Sequence, residues 1–327
     1  MPREPIPRAA GPSSISRKPH LSGAGEPRPI TVLLPSRRLE PTRYRVAGRA
    51  VVANRPVAAL TPFLARSDEA GALAREPPRR AGAAPLGEPL EIEVDLAGGR
   101  RWARLAEENG SLRWDFEGLG TLRTTSDGTW VDARELTSGL PEDWVAEVAL
   151  GPGLIVALAL HGTLCFHASA AVRNDSAVAL LGESGRGKST LAAHLRRLGW
   201  IRLADDVLPL DLSSGEVRGL ADFPQLKLRP AEQPVLSLVS TGLSAVVVLR
   251  EAGSGELEAR RLSTADAAAA FLRHTVASRL FPRCLLRHHL ALCGELAESV
   301  PVVELRYPLR PEVLARAGRR VAELVAG

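Results

Sequence analysis

Lysine is almost missing from this 327-residue chain: 39 of its 42 basic residues are arginine, and the three lysines are Lys18, Lys188 and Lys227. Cysteine is as scarce. Cys165, Cys284 and Cys293 are odd in number and lack metal-ligand spacing, which argues against a disulfide scaffold and for a reducing, cytoplasmic setting. Aromatics make up only 4% and the arginines are scattered, so there is no interleaved basic-aromatic platform of the kind that binds single-stranded nucleic acid. The net charge of +5 and pI near 9.6 therefore point away from nucleic acid and toward an acidic peptide or phosphorylated substrate. Long apolar runs are absent too. The longest, Leu154 to Phe166, is broken at His161-Gly162 and is too short to span a bilayer, so no membrane partner is expected. Residues 1–28 mix Pro, Arg, Gly and Ser without the continuous apolar region of a secretory signal, and read as a disordered tail.

What remains is globular in composition, with 45% hydrophobic residues and length for one or two domains. In a chain this poor in lysine, Lys188 stands at the end of Gly182-Glu183-Ser184-Gly185-Arg186-Gly187-Lys188-Ser189. Gly, four residues, Gly, Lys and Ser or Thr form the phosphate-binding (Walker A) pattern, which would arise by chance in well under ~1% of such chains. The pattern needs a buried strand before it and a helix after it, because backbone N–H groups and a helix N-terminus must converge on the phosphates. Both are predicted. Ser176 to Leu181 is a short apolar run of the kind found in central parallel strands, and Leu191, Leu195 and Leu198 fall at helical spacing before the Gly199 stop. In this reading Gly182 and Gly187 permit close backbone approach, Lys188 reaches the β- and γ-phosphates, Ser189 offers a hydroxyl to Mg²⁺, and Thr190 caps or packs.

About 23 residues after Gly182, a strand-like stretch ends in Asp205-Asp206. Such a pair read alone marks a turn or a helix start more often than a site. Beside a phosphate loop, one carboxylate can hold hydrated Mg²⁺ while the other takes a proton from an attacking hydroxyl. Upstream, Leu164 to Ala170 reads as a strand carrying His167; a lone histidine there is more often a satisfied core residue than a site residue. Lys227 reads as a phosphate or substrate contact or as a solvated residue between Leu226 and Leu228. Arg186 has no partner assignable from sequence.

The stretch from His167 to about Pro230 resembles the catalytic core of the HPr kinase/phosphorylase family and its relatives encoded beside peptide-modification genes, some of which phosphorylate serine in lasso-peptide precursors. The resemblance rests on a histidine 15 residues before Gly182, on the Gly-Glu-Ser-Gly-Arg-Gly-Lys-Ser loop, and on Leu-Ala-Asp-Asp-Val. It implies Asp206 as general base toward a serine hydroxyl, Asp205 and Ser189 on the metal side, and His167 near the reacting phosphate. The chain departs from bacterial HPr kinases in carrying Thr190 where they have Glu and in lacking their Pro-Gly-Arg-Asn signature. The segments Asp222 to Leu228 and Val300 to Pro308 look like the divergent HPr-kinase-like proteins. Family members are often oligomers, so a homo-oligomer is compatible with the resemblance, and no residue here marks an interface.

Pro29 to about Asp143 reads as a small antiparallel β-rich module. Leu90 to Leu96 alternates, and turns are expected at Ala97-Gly-Gly99, Glu108-Asn-Gly-Ser111 and Ser126-Asp-Gly-Thr129; residues 75–89 read as a flexible loop, and Trp144 to Leu150 as a connecting helix. Later come a strand at Leu243 to Leu249, a helix from Thr264 to about Arg279, a strand at Val302 to Leu305, and a terminal helix from Pro311 to Val325. The expected class is α/β: a P-loop kinase core of the HPr kinase C-terminal domain type over 151–327, preceded by the β-rich module over 29–150. The expected activity is ATP- and Mg²⁺-dependent phosphorylation of a serine or threonine on a peptide or protein. A nucleotide-dependent sensor without phosphotransfer, and a kinase of a small hydroxylated metabolite, stay open beside it.

Overall fold

The computed structural model describes residues 28–36, 40–65, 90–108, 110–225, 240–252 and 256–326. The tail over 1–27, the loop over 75–89 and Lys227 lie outside the described residues. The strands are β1 Ile30–Leu33, β2 Thr42–Val46, β3 Arg49–Ala53, β4 Leu90–Leu96, β5 Gly99–Glu108, β6 Ser111–Phe116, β7 Gly120–Thr125, β8 Trp130–Asp132, β9 Leu164–Arg173, β10 Ser176–Leu181, β11 Ile201–Asp211, β12 Arg218–Leu220, β13 Ser240–Glu251, β14 Glu258–Arg261 and β15 Val302–Tyr307. The helices are α1 Glu142–Val148, α2 Leu154–Leu160, α3 Lys188–Arg197, α4 Thr264–His274, α5 Arg283–Ser299 and α6 Pro311–Ala326. The protein is thus mixed α/β, with two sheets.

The first sheet runs β2-β3-β1-β8-β7-β6-β5-β4. Its hairpins form where expected: Ala97 and Gly98 take φ of 50° and 75°, the left-handed pair that a two-residue hairpin demands. Along β6, Leu112, Trp114 and Phe116 point inward and the intervening residues are only partly covered, the period of two of a half-buried strand. The expectation of an antiparallel module needs one correction. β1 lies parallel to both β3 and β8. All four of its residues are buried, and a strand covered on both faces at the middle of a sheet is suited to parallel pairing.

α1 and α2 join through a wider turn over Ala149–Gly153 that contains Pro152, so the connecting helix extends well past Leu150. The stretch Glu142–Leu160 is long and apolar enough to cross a bilayer, yet 72% of its most apolar window is buried inside the protein. Its apolar side chains, Val148, Leu150, Ile155 and Leu158 among them, belong to one core with Trp114 and Leu122 of the first sheet. The indole N–H of Trp114 donates to Leu280 O at 3.2 Å, tying that sheet to the segment before α5.

In the second sheet β10 lies between β9, antiparallel, and β13, parallel; β13 continues to β15, parallel, and β15 to the edge strand β14, antiparallel. On the other side β9 pairs antiparallel with β11, and β12 bridges β11 to the start of β13. One face packs Ala168, Leu181, Leu208, Val248 and Val302 under Phe271 of α4 and Leu296 of α5. The opposite face packs Ala171, Leu180, Val247 and Leu305 under Leu191 and Leu195 of α3 and Val321 of α6.

Two expectations change here, and one helix was not foreseen. β11 does not end at Asp205-Asp206 but runs on to Asp211, because Val207, Leu208 and Leu210 continue its buried pattern. The Ala-rich helix stops at His274 rather than near Arg279, as Thr275 turns extended and bridges to Phe166 of β9. The 17-residue helix α5 had no counterpart in the sequence reading. Its buried stripe, Leu285, His289, Cys293 and Leu296, is helical in spacing but interrupted by a histidine. One ring nitrogen of that histidine is paired: Thr275 Oγ1 donates to Phe271 O at 2.9 Å, so at 2.9 Å from His289 Nε2 it accepts the ring proton, while Nδ1 is buried without a partner among the described residues.

Candidate functional site

The loop between β10 and α3 carries the residues singled out above. Gly185 and Gly187 take φ of 79° and 80°, conformations that favour glycine and turn the loop back over the start of α3. A Cβ on Gly182 would meet Leu249 Cβ and O at 3.3 Å, and one on Gly187 would meet Tyr307 Oη at 3.1 Å. Lys188 is buried at 9% exposure, and its ammonium donates to Gly182 O at 2.7 Å and Glu183 O at 3.2 Å. It is held across the mouth of the loop. Glu183, Ser184 and Gly185 are exposed at the tip. Arg186 pairs with Glu251 at the end of β13, and its carbonyl accepts from Tyr307 Oη at 3.2 Å. Ser189 and Thr190 are exposed in the first turn of α3, so the expectation that Thr190 packs is not met.

Register sets the two carboxylates against this loop. Leu181 pairs with Ala168 across one strand boundary, and Ala168 pairs with Asp206 across the next. Asp206 is therefore level with the last residue before the loop, two strands away, about 10 Å. Strand alternation then separates the pair by face. Asp206 alternates with Leu208 on the α4–α5 side, whereas Asp205, which accepts from Ser169 Oγ at 2.5 Å, shares the α3 side with Ala171. Asp205 also pairs with Arg202 at 3.4 Å. His167 Nδ1 lies 3.1 Å from Asp206 O and 3.4 Å from Asp206 Oδ1. A carbonyl oxygen only accepts, so His167 Nδ1 carries a proton and donates it to Asp206 O.

Two residues belong beside this group that sequence reasoning did not assign to it. Gln225, buried at 1% exposure, accepts with one Oε1 from the backbone N–H groups of Asp205, Asp206 and Val207 at 2.9, 2.7 and 3.2 Å. Its amide donates to Val207 O and Phe223 O at 2.8 and 3.1 Å. Among the described residues no strand lies along this stretch of β11 opposite β9, and the side chain stands in for one. Three residues earlier, Asp222 accepts from the β2–β3 turn, through its carbonyl from Ala47 N at 2.7 Å and through Oδ2 from Gly48 N at 2.8 Å. Burial raises the Asp222 carboxyl above its ordinary value. One short segment thus braces the carboxylate pair on one side and holds the first sheet on the other. The second residue is His274 at the end of α4, 5% exposed, with Nε2 buried and without a hydrogen-bond partner. Burial first, and then the charges of Lys188, Arg250, Arg273 and His167, lower it to about 4. No sequence signal distinguished it from the other histidines.

The donors that could face a hard cation are oxygens, the Ser189 hydroxyl and the Asp205 carboxylate, and no cluster of three or more His, Cys, Asp or Glu suited to a metal occurs among the described residues. Two oxygen donors without a closed cage suit Mg²⁺, which keeps waters and shares its ligands with substrate phosphates. Chemically, the arrangement combines an exposed glycine-rich turn at a helix N-terminus, a buried ammonium, and a carboxylate-histidine pair across the sheet.

Taken together, these features define a mixed α/β protein of two sheets, with the candidate site on the second sheet where β10 enters the glycine-rich loop. No known family model matches the chain, and neither does any curated protein. Among solved structures it is similar to the structure of the Hpr(Ser) kinase/phosphatase from Coxiella burnetii, with 16% identity and a TM-score of 0.29 over 49% of this chain and 98% of that one.

Proposed function

We propose that the chain is an ATP-dependent kinase that transfers the γ-phosphoryl group to a serine or threonine hydroxyl of a peptide or protein. The observation that carries this reading is the row Leu181–Ala168–Asp206, which sets a buried carboxylate level with the mouth of a glycine-rich loop. A loop that only binds nucleotide needs no base for an acceptor hydroxyl there.

In this reading the N–H groups of Gly182 to Ser189 and the Lys188 ammonium hold the nucleotide phosphates, Lys188 exchanging its loop carbonyls for phosphate oxygens. Mg²⁺, held by Ser189 and Asp205, would offset charge on the bridging oxygens. Asp206 accepts the proton of the attacking hydroxyl. The His167 N–H, bound to Asp206 O and close to Oδ1, holds that carboxylate in place and keeps a positive edge beside it. Residues 151–327 form the kinase core, and the first sheet, braced through Asp222, serves acceptor recognition.

Asp206→Asn keeps the size and the backbone of the residue and removes the base. A positioned base contributes about 10²–10⁴ in rate, so turnover with labelled ATP should fall by that factor while nucleotide affinity stays within about twofold. Wild-type turnover in the variant would overturn the assignment. Lys188→Ala should instead abolish nucleotide binding, measured by titration calorimetry.

A further inference from the structure

Glu304, in the middle of β15, is buried at 6% exposure and is the common partner of three arginines. Arg306 Nε lies 2.8 Å from its Oε1, Arg260 of β14 3.3 Å from Oε1, and Arg250 of β13 3.6 Å from Oε2. Among the described residues every ion pair of these three arginines ends on this one carboxylate, so three positive charges meet one negative charge. The arginine side chains remain 31%, 64% and 54% exposed for Arg250, Arg260 and Arg306. Each guanidinium has five N–H donors and spends one or none on Glu304. The surplus is both charge and directed hydrogen-bonding capacity.

Its place in the sheet gives the surplus meaning. Val248 and Val302 face α4 and α5, and Arg250, Glu304 and Arg306 follow at steps of two, so they share that face. Asp206 lies on the same face, by its alternation with Leu208. Arg250 sits two residues past Val248, which pairs with Leu181, so the cluster begins at the level of the loop.

We propose that Arg250, Arg260 and Arg306, gathered on Glu304, form a second anion site that binds an acidic side chain of the acceptor peptide. This deepens the kinase reading and rests on it. The geometry also sets a spacing. Strands lie about 4.8 Å apart, so β11 is about 14 Å from β13 and about 19 Å from β15. An extended peptide advances about 3.3 Å per residue, so the acidic residue should lie about four to six positions from the acceptor hydroxyl at Asp206. Bidentate donors of this kind favour carboxylate and phosphate over neutral amides.

The test separates binding from turnover. Fluorescent peptides with the acceptor serine replaced by alanine, carrying either Asp or Asn five positions away, are titrated against full-length protein saturated with ADP. The Asp peptide should bind at least tenfold tighter than the Asn peptide, and Arg260→Gln/Arg306→Gln should erase that difference while leaving ADP affinity unchanged. Glu304→Gln keeps the arginines and removes their counter-charge, so it should tighten the Asp peptide severalfold, an effect that misfolding cannot mimic. Equal binding of Asp and Asn peptides, or weaker binding in Glu304→Gln, would overturn the proposal. So would a loss of ADP affinity in the arginine variant, which would assign the anion to the nucleotide. Discrimination between the peptides without labelling of the serine version by ATP would leave the anion site standing and defeat the kinase reading instead.

Discussion

Replacing Gln225 with methionine keeps length and volume but removes the one oxygen that accepts from Asp205 N, Asp206 N and Val207 N. A buried donor left without a partner costs about 1–3 kcal/mol, so three independent donors would lose up to about 9 kcal/mol. The three share one acceptor, so at least one bond is weak in geometry, and the free side of β11 can shift to admit water. A loss of about 3–5 kcal/mol is the expected outcome. A domain of ordinary stability, about 5–15 kcal/mol, survives that loss, so the variant should fold and can be assayed. Urea unfolding followed by circular dichroism gives the midpoint and slope. The midpoint should fall with the slope unchanged. In the same preparation turnover should drop further than nucleotide affinity, because the backbone that Gln225 braces carries Asp206, whereas the Gly182–Ser189 loop has its own supports in Leu249 and Tyr307. A destabilisation below about 1 kcal/mol would refute the view that Gln225 replaces a missing strand along β11.

Further outcomes follow from single contacts. Gly187→Ala places a side chain at φ of 80° and within 3.1 Å of Tyr307 Oη, so it should cost about 1–2 kcal/mol in thermal stability and weaken nucleotide binding more than Gly185→Ala, whose Cβ meets nothing within 4 Å. His274 and His289 are both lowered by burial from 6.5 to about 4, so the unfolded chain takes up their protons first. Their contribution to stability is complete above pH 6.5 and is lost as pH falls toward 4; urea midpoints at pH 7 and pH 5 should differ in that direction, and by less in His289→Asn. Burial pushes Cys165 and Cys293 up to about 12 while Cys284 is exposed, so an alkylating reagent at pH 8 should modify one thiol in the native protein and three after denaturation.

Much of the second sheet was legible residue by residue. The apolar run Ser176 to Leu181 is β10 as expected, and Leu191 and Leu195 do face the core from α3. Gly199 takes the left-handed φ of 86° that ends that helix. Asn174-Asp175, a turn-forming pair, joins β9 to β10 with both residues at positive φ. Local propensity and period suffice for such elements because each is decided within one turn or one strand. The failures are of another kind. The direction of β1 depends on which strands flank it, and a four-residue run with three apolar side chains carries no information about its neighbours. The end of α4 is decided by Thr275 leaving to pair with Phe166, a partner more than a hundred residues away. The stripe of α5 was hidden by His289, whose burial makes sense only once Thr275 is beside it.

By itself the sequence determined the glycine-rich loop, the scarcity of lysine that makes Lys188 conspicuous, and the presence of Asp205, Asp206 and His167 at fixed distances along the chain. Only the tertiary structure decided that Asp206 is level with the loop and Asp205 on the opposite face, because that follows from how β9 pairs with both β10 and β11. It also brought in Gln225, His274 and the arginines around Glu304. Their roles depend on the side of β11 away from β9, a buried ring and a shared carboxylate. Such features are properties of distance in space, and spacing along a chain does not encode them.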